Sequence, residues 1–308
     1  MYKPVTVVGS YNLDQSLKCK ALPHEGETVI AQSYSESSGG KGSNQAVAAS
    51  KMGAKTRFIG RIGADHNGQD ALAMYDRLDI DRSRMVIDEC ARTGLSVIMV
   101  DENGRNQITV VPGANYNLSK ADIDASLDVL CDSGIVGFQL ENQPEVVAYG
   151  LKKVSGLGVK TLLDPAPAFA LPQDLYQYIN CIKPNEHEAK ALTGIPVSDF
   201  ESACKAGKWF LDRGVQVAII TLGSEGSVLV TKNGGKFFNT PKVNAVDTTG
   251  AGDCFSGALM ASIAQDKSIE ESILLASHAA ALSVTKFGVI DSIPTLAEVE
   301  AFIKTQEH

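Results

Sequence analysis

Asp247-Thr248-Thr249-Gly250-Ala251-Gly252-Asp253 is the segment of this chain whose residue types and spacing speak most directly of chemistry. Small residues precede the helical pattern Cys254–Ala264, so the backbone there can approach a ligand closely. Unpaired N–H groups at such a helix start face an anion, and the helix dipole favours negative charge beside them. Asp253 stands among these donors. In a phosphoryl transfer this arrangement sets donors on the migrating group and a carboxylate beside the attacking hydroxyl. A helix that merely begins with glycine and a favourable acidic residue would look the same, so the segment needs company.

Lys183-Pro184-Asn185-Glu186-His187-Glu188 puts Asn185 and Glu188 one helical turn apart, able to converge on one hydrated Mg²⁺. The bland alternative is a helix start with exposed acids. Two familiar nucleotide signatures are absent. Gly39-Gly40-Lys41-Gly42-Ser43 superficially resembles a P-loop, but it lacks the upstream glycine, and Gly42 follows the lysine. The run Val8-Gly9-Ser10-Tyr11-Asn12 lacks the later glycines of a dinucleotide fingerprint, which disfavours a dehydrogenase. Cys254 reads as a structural thiol, Trp209 as a core residue on an amphipathic helix, and His187 as a surface residue.

These residues need a scaffold. The chain has 308 residues, 44% hydrophobic and 21% charged, enough for one large α/β domain with an appendage. Short apolar β-branched runs (Val5–Val8, Arg57–Ile59, Ile135–Leu140, Thr161–Leu163, Cys181–Ile182, Val217–Thr221) alternate with amphipathic stretches. The latter include Asn44–Met52, Ser119–Leu130, Pro144–Val154 and Phe200–Leu211, with Ser119 and Asp122 reading as a capping box. Apolar strands separated by helices predict a parallel sheet covered on both faces. Leu95–Val100 and Asn106–Val111 break this rhythm around an Asn-Gly turn, predicting a hairpin. With the segment around Leu17–Ser33 it suggests a small separate sheet: a lid, a dimer surface or a plain edge.

The net charge of −8 without any basic run argues against a nucleic-acid partner. The N-terminus is too short in apolar residues for a signal-peptide core, and no membrane span is expected. Six dispersed cysteines without a CxxC pair, and five unclustered histidines, predict reduced thiols in a cytoplasmic protein without structural zinc.

Taken in order and spacing, the motifs resemble those of the ribokinase family, within the ribokinase–fructokinase–adenosine kinase group, from about Val5 to about Pro294. Asp247–Asp253 resembles the C-terminal signature. That likeness implies Asp253 as catalytic base and Gly250, Ala251 and Gly252 as an anion hole. Ser38–Ala46 is similar to the N-terminal signature, which implies Gly40, Lys41, Gly42 and Asn44 at the sugar. Gly9–Asp14 adds Asn12 and Asp14, and Gln139-Leu140-Glu141 adds Glu141. On the nucleotide side the resemblance implies Asn185, Thr221, Gly223, Ser224, Gly226, Gly252 and Ser277 as ATP-binding positions, with Asn185 and Glu188 at Mg²⁺. It also implies a K⁺ loop of Asp247, Thr249, Ser283, Lys286, Gly288 and Ser292, bound chiefly through backbone carbonyls.

The expectation is therefore one ribokinase-like domain over residues 1–308. It is a doubly wound, mostly parallel sheet with helices on both faces and a small β-sheet lid from segments near 12–36 and 93–113. The resemblance implies transfer of the γ-phosphoryl group of ATP to a pentose hydroxyl, D-ribose giving ribose 5-phosphate, with Mg²⁺ and K⁺; the appendage itself offers a surface for a homodimer through the lid. The alternatives are deoxyribokinase, fructokinase or nucleoside kinase activity, or a silent sugar- or nucleotide-binding protein. The silent reading requires a degraded base or anion hole, and both are intact.

Overall fold

Val5-Thr6-Val7-Val8 has no solvent-facing side: all four residues are buried, as a central parallel strand covered on both faces requires. In the computed structural model, which describes residues 2–306, this strand is β1. The chain then runs through β2 (Asn12–Lys18), β3 (Ser33–Gly39), α1 (Lys41–Lys51), β4 (Thr56–Ile59), β5 (Arg61–Gly63) and α2 (His66–Arg77). Next come β6 (Ile80–Asp81), β7 (Val86–Asp88), β8 (Gly94–Val100), β9 (Asn106–Val111), α3 (Lys120–Asp124), α4 (Leu127–Cys131) and β10 (Ile135–Phe138). They are followed by α5 (Pro144–Gly156), β11 (Lys160–Leu163), β12 (Cys181–Ile182), α6 (Glu186–Thr193), α7 (Phe200–Leu211) and β13 (Val217–Thr221). The last elements are β14 (Gly226–Thr231), β15 (Gly234–Asn239), α8 (Ala251–Ala264), α9 (Ile269–Ser283) and α10 (Leu296–Gln306).

Among the described residues nine strands form the main sheet, in the order β15-β14-β13-β12-β11-β10-β1-β4-β6. The pairs from β6 to β13 are parallel; β14 and β15 add an antiparallel edge. Alternation along the strands sends side chains to two apolar layers. Val5, Val7, Ile135, Leu162 and Ile219 pack with α1, α8 and α9, whereas Val8, Val136, Phe138, Leu163 and Ile220 pack with α5 and α7. No described helix is long and apolar enough to cross a membrane.

The expected small sheet is present, in the order β3-β2-β8-β9. Its β8–β9 turn is set by the buried Asp101 carboxylate, which accepts from the N–H groups of Asn103 and Arg105, each at 2.9 Å. The predicted helix Ser119–Leu130 is two helices instead. Its Ser119–Asp122 capping box forms as expected, but the Ser126 hydroxyl donates to the Asp122 carbonyl at 2.8 Å where the helix breaks. α1 starts earlier than its apolar pattern, at Lys41, because Gly40 takes the left-handed φ of 87° that turns β3 into the helix.

Candidate active site

Two helix starts converge. A Cβ at Gly257 of α8 would lie 2.4 Å from the Gln45 carbonyl oxygen and 2.5 Å from Ala48 Cβ of α1, so that glycine lets the helices touch. Both helices begin at a positive-φ glycine, Gly40 and Gly250, and neither start has a side-chain cap. At α8 the Ala251 N–H turns back to the Thr248 carbonyl at 3.3 Å. Among the described residues the N–H groups of Gly250, Gly252 and Asp253 have no protein partner. The donor set at this helix start is thus shifted from the expected Gly250–Gly252: Ala251 leaves it and Asp253 joins it.

The Asp253 carboxylate, 5% exposed, lies at the meeting point. Oδ2 accepts from Asn44 Nδ2 at 2.9 Å and Oδ1 from Gln45 Nε2 at 3.3 Å. The Asp253 charge, ahead of any other cause, holds the Lys41 ammonium above its ordinary pKa. Glu141 closes the same side, accepting from the Lys41 backbone N–H at 2.9 Å and from the Ser10 hydroxyl. Burial pushes its carboxyl pKa up. Asp14, 8% exposed, is raised to about 6, first by burial and then by the charges of Glu141 and Asp253, against a hydrogen bond from Ser96. Gly39 and Gly40 make room here: a Cβ at Gly39 would fall 2.0 Å from Asp14 Oδ2. Gly42 also passes close to the β1–β2 turn, where its Cβ would stand 2.6 Å from the Ser10 nitrogen. Asn12 Oδ1 accepts from Asn115 Nδ2 at 2.8 Å, which turns the Asn12 amide N–H groups away from that donor. The expected sugar-side residues Asn12, Asp14, Gly40, Lys41, Gly42, Asn44 and Glu141 therefore share one neighbourhood, rich in both donors and acceptors.

On the other side, Asn185 bridges to Thr221, and the Thr221 N–H donates to the Pro184 carbonyl at 3.0 Å. This joins the Asn185–Glu188 segment to the exposed turn holding Gly223 and Ser224, which leads to Gly226. Asn185 and Glu188 first serve α6 itself. Asn185 Oδ1 accepts from the Glu188 N–H, and Glu188 Oε2 from the Asn185 N–H, both at 2.8 Å. Glu188 Oε1 is the oxygen left for a cation. Burial, then the charge of Asp164, raises the Glu188 pKa, a strain that a divalent cation would relieve. No cluster of three His, Cys, Asp or Glu exists among the described residues, so the donor set fits a Mg²⁺ carried by phosphate and water with one carboxylate beside it.

The Asp247 carboxylate ties two loops together, accepting from the Thr249 N–H at 2.9 Å and the Gly288 N–H at 3.1 Å. The Ser283 and Ser292 hydroxyls donate to the Ala280 and Val289 carbonyls, and the Lys286 ammonium reaches Glu298. A cation held between these loops would therefore meet backbone carbonyls and Asp247, a set of hard oxygens that fits K⁺. Ser277 is 3% exposed inside α9. Beside the Asp247 loop lies an open cleft of about 610 Å³ lined by Lys242, Val243, Asn244, Val246 and Thr285, residues that no sequence pattern marked.

Also unmarked is a buried network behind Asp253. Asp164 Oδ2 accepts from Lys183 Nζ at 2.9 Å, Ser256 Oγ at 2.9 Å and Gln45 Nε2 at 3.0 Å. The one available sign was a charged residue closing the apolar run Thr161–Leu163. As expected, Cys254 is a buried thiol, its pKa pushed up to about 12 by burial, and His187 is exposed. Trp209 is half-buried against the second apolar layer, stacked under Arg213.

A doubly wound sheet with a carboxylate at a glycine-rich helix start, beside a polar pocket and a small separate β-sheet, is the architecture of a sugar kinase. The chain belongs to the pfkB family of carbohydrate kinases, which it matches over residues 3–296. It is 38% identical over 304 residues to a ribokinase of Haemophilus influenzae, covering 99% of both chains. It is 32% identical over 305 residues to a deoxyribokinase of Salmonella typhi, covering 98% of this chain and 99% of that one. The structure of an Arabidopsis thaliana ribokinase complexed with ribose and ATP superimposes with a TM-score of 0.92 at 33% identity, covering 99% of each chain. The chain is accordingly an ATP-dependent carbohydrate kinase.

Proposed function

We propose that this protein transfers the γ-phosphoryl group of ATP to the 5-hydroxyl of D-ribose, giving ribose 5-phosphate. The observation that carries the reading is the gathering of polar groups around Asp253: Asn44 donates to its carboxylate, the carboxylates of Asp14 and Glu141 lie close enough to feel its charge, and Asn12 stands on the same strand as Asp14. Asp253 takes the hydroxyl proton as attack develops. The N–H groups of Gly250, Gly252 and Asp253 meet charge on the migrating group. Lys41 adds a fixed positive charge nearby. A pocket that bonds several hydroxyls discriminates against a sugar lacking one, because its own groups then go unpaired. The kinship to both a ribokinase and a deoxyribokinase makes this discrimination the point to test.

Thr221, Gly223, Ser224 and Gly226 hold the nucleotide, with Ser277 toward the base and the cleft at Lys242–Val246 beside it. Glu188, oriented by Asn185, would hold Mg²⁺, and the Asp247 and Gly288 loops would hold K⁺. When bound, the divalent ion would supply charge neutralisation at the phosphates of ATP. One domain spans the chain, and its lid over the sugar excludes water that would otherwise waste ATP. The exposed lid edges support a homodimer: β9 is exposed throughout, with Ile108, Val110 and Val111, and Tyr34 stands out on β3. Six free thiols support a cytoplasmic location. The test is a coupled ADP-release assay with ribose, 2-deoxyribose, fructose and nucleosides at saturating MgATP. Ribose should give the highest kcat/KM; a higher value for any other acceptor overturns the ribose assignment.

A further inference from the structure

Lys183 and Asp164 form an ion pair whose side chains are 4% and 3% exposed. Such pairs add little net stability over apolar residues of similar size, because desolvation offsets the attraction. Stability alone therefore does not account for this one, and its position suggests a task. Lys183 Nζ also donates to the Gly252 carbonyl at 3.1 Å. Within one planar trans peptide the carbonyl and the following N–H point in opposite directions. Holding the Gly252 oxygen toward Lys183 therefore aims the Asp253 N–H away from it, out of the helix start. A positive charge on the carbonyl also polarises the peptide and strengthens that N–H as a donor.

The same pair reaches the carboxylate of Asp253. Gln139 Nε2 donates to Gln45 Oε1 at 2.7 Å, which leaves the Gln45 amino group facing both Asp164 Oδ2 and Asp253 Oδ1. Ser256, one turn further along α8, is tied to the same Asp164 oxygen. We infer that Asp164 and Lys183 are positioning residues that fix, from one buried ion pair, both the Asp253 carboxylate and the peptide N–H that faces the migrating phosphoryl group. This rests on the kinase reading proposed above.

The full-length Lys183→Met, Asp164→Asn and double variants test it, the double variant leaving no uncompensated buried charge should either single one fail to fold. For each we would measure kcat and KM for ribose at saturating MgATP, the dissociation constant of ADP by calorimetry, and Tm. The expected result is a kcat lower by about ten- to a hundredfold, the scale of a misplaced reacting group. KM for ribose and ADP affinity should stay within about threefold, well under the loss expected for a severed charged hydrogen bond, and the double variant should be no worse than the more damaging single one. An ADP affinity that weakens as much as kcat would make Lys183 a phosphate ligand and overturn the inference. So would an unchanged kcat with a lowered Tm, the mark of a purely structural pair. A wild-type protein without sugar kinase activity would instead overturn the function on which the inference rests.

Discussion

Asn44 Nδ2 stands 2.9 Å from Asp253 Oδ2, joining α1 to α8 between residues 209 positions apart. The helix expected to touch the sugar thus holds the carboxylate expected to accept its proton. Asp253→Asn keeps the shape and removes the acceptor, so kcat should fall by about 10²–10⁴. Dissociation constants for ribose and ADP, measured by calorimetry, should move far less. Near-normal turnover in this variant would remove Asp253 from the mechanism.

Gly40 is the geometric hinge of the sugar side. Its φ is +87°, and an added Cβ would stand 2.7 Å from the Asn12 nitrogen and 2.8 Å from Tyr11 Cα, both backbone atoms. Gly40→Ala therefore combines a left-handed penalty of about 1–2 kcal/mol with a displacement of the strand that carries Asn12 and Asp14. Thermal melting should show a lower Tm, and KM for ribose should rise more than KM for ATP. Gly223, with φ of +53° and open space around it, provides the control: Gly223→Ala should lower Tm slightly and leave KM for ribose unchanged.

The cations give separable predictions. Glu188→Gln should raise the Mg²⁺ concentration needed for half-maximal rate, because the free carboxylate oxygen loses its charge. Wild-type activity should be higher in K⁺ than in Na⁺ at equal ionic strength. Asp247→Asn should abolish that difference, since an amide cannot accept from both Thr249 and Gly288 through two oxygens as the carboxylate does. Equal wild-type rates in the two salts would exclude the cation loop and leave the sugar kinase intact.

How much of this was legible in the sequence depended on whether a signal was local. Apolar runs such as Val5–Val8 and Val217–Thr221 marked strands of the sheet, and the Asn-Gly turn marked the hairpin, because period and turn chemistry act over a few residues. Asp253 was visible for the same reason. Its supports were not: Gln45 and Asp164 meet across 119 positions, and Asp164 and Ser256 across 92. The Asn185–Glu188 spacing was ambiguous in physical terms, since residues three apart at a helix start can face one cation or cap one another, and here they cap. Ser119–Leu130 looked like one helix because periodicity does not register a serine hydroxyl competing for a backbone carbonyl.

Asp14 links sugar choice to pH and to stability. In the folded chain its carboxyl keeps a proton up to a pH of about 6, against an ordinary value of 3.8. Between these values the folded state binds a proton that the unfolded state has released, so the penalty on folding is absent below pH 3.8 and complete above pH 6. The difference corresponds to on the order of 3 kcal/mol at most. Asp14→Asn should therefore raise Tm at pH 8 and lose that advantage near pH 4. If the same charge accepts from a sugar hydroxyl, losing it should cost roughly 1.5–3 kcal/mol, about tenfold to a hundredfold in kcat/KM for ribose. For the wild-type protein kcat/KM for ribose should fall as pH drops through 6, with a smaller change in the Asn variant. A sugar that lacks the bonded hydroxyl never benefits from the charge, so 2-deoxyribose should lose less than ribose on substitution, drawing their ratio toward one. Equal losses for the two sugars would mean that Asp14 does not read the 2-hydroxyl; a variant less stable than wild type at pH 8 would mean that its charge is compensated in the folded chain.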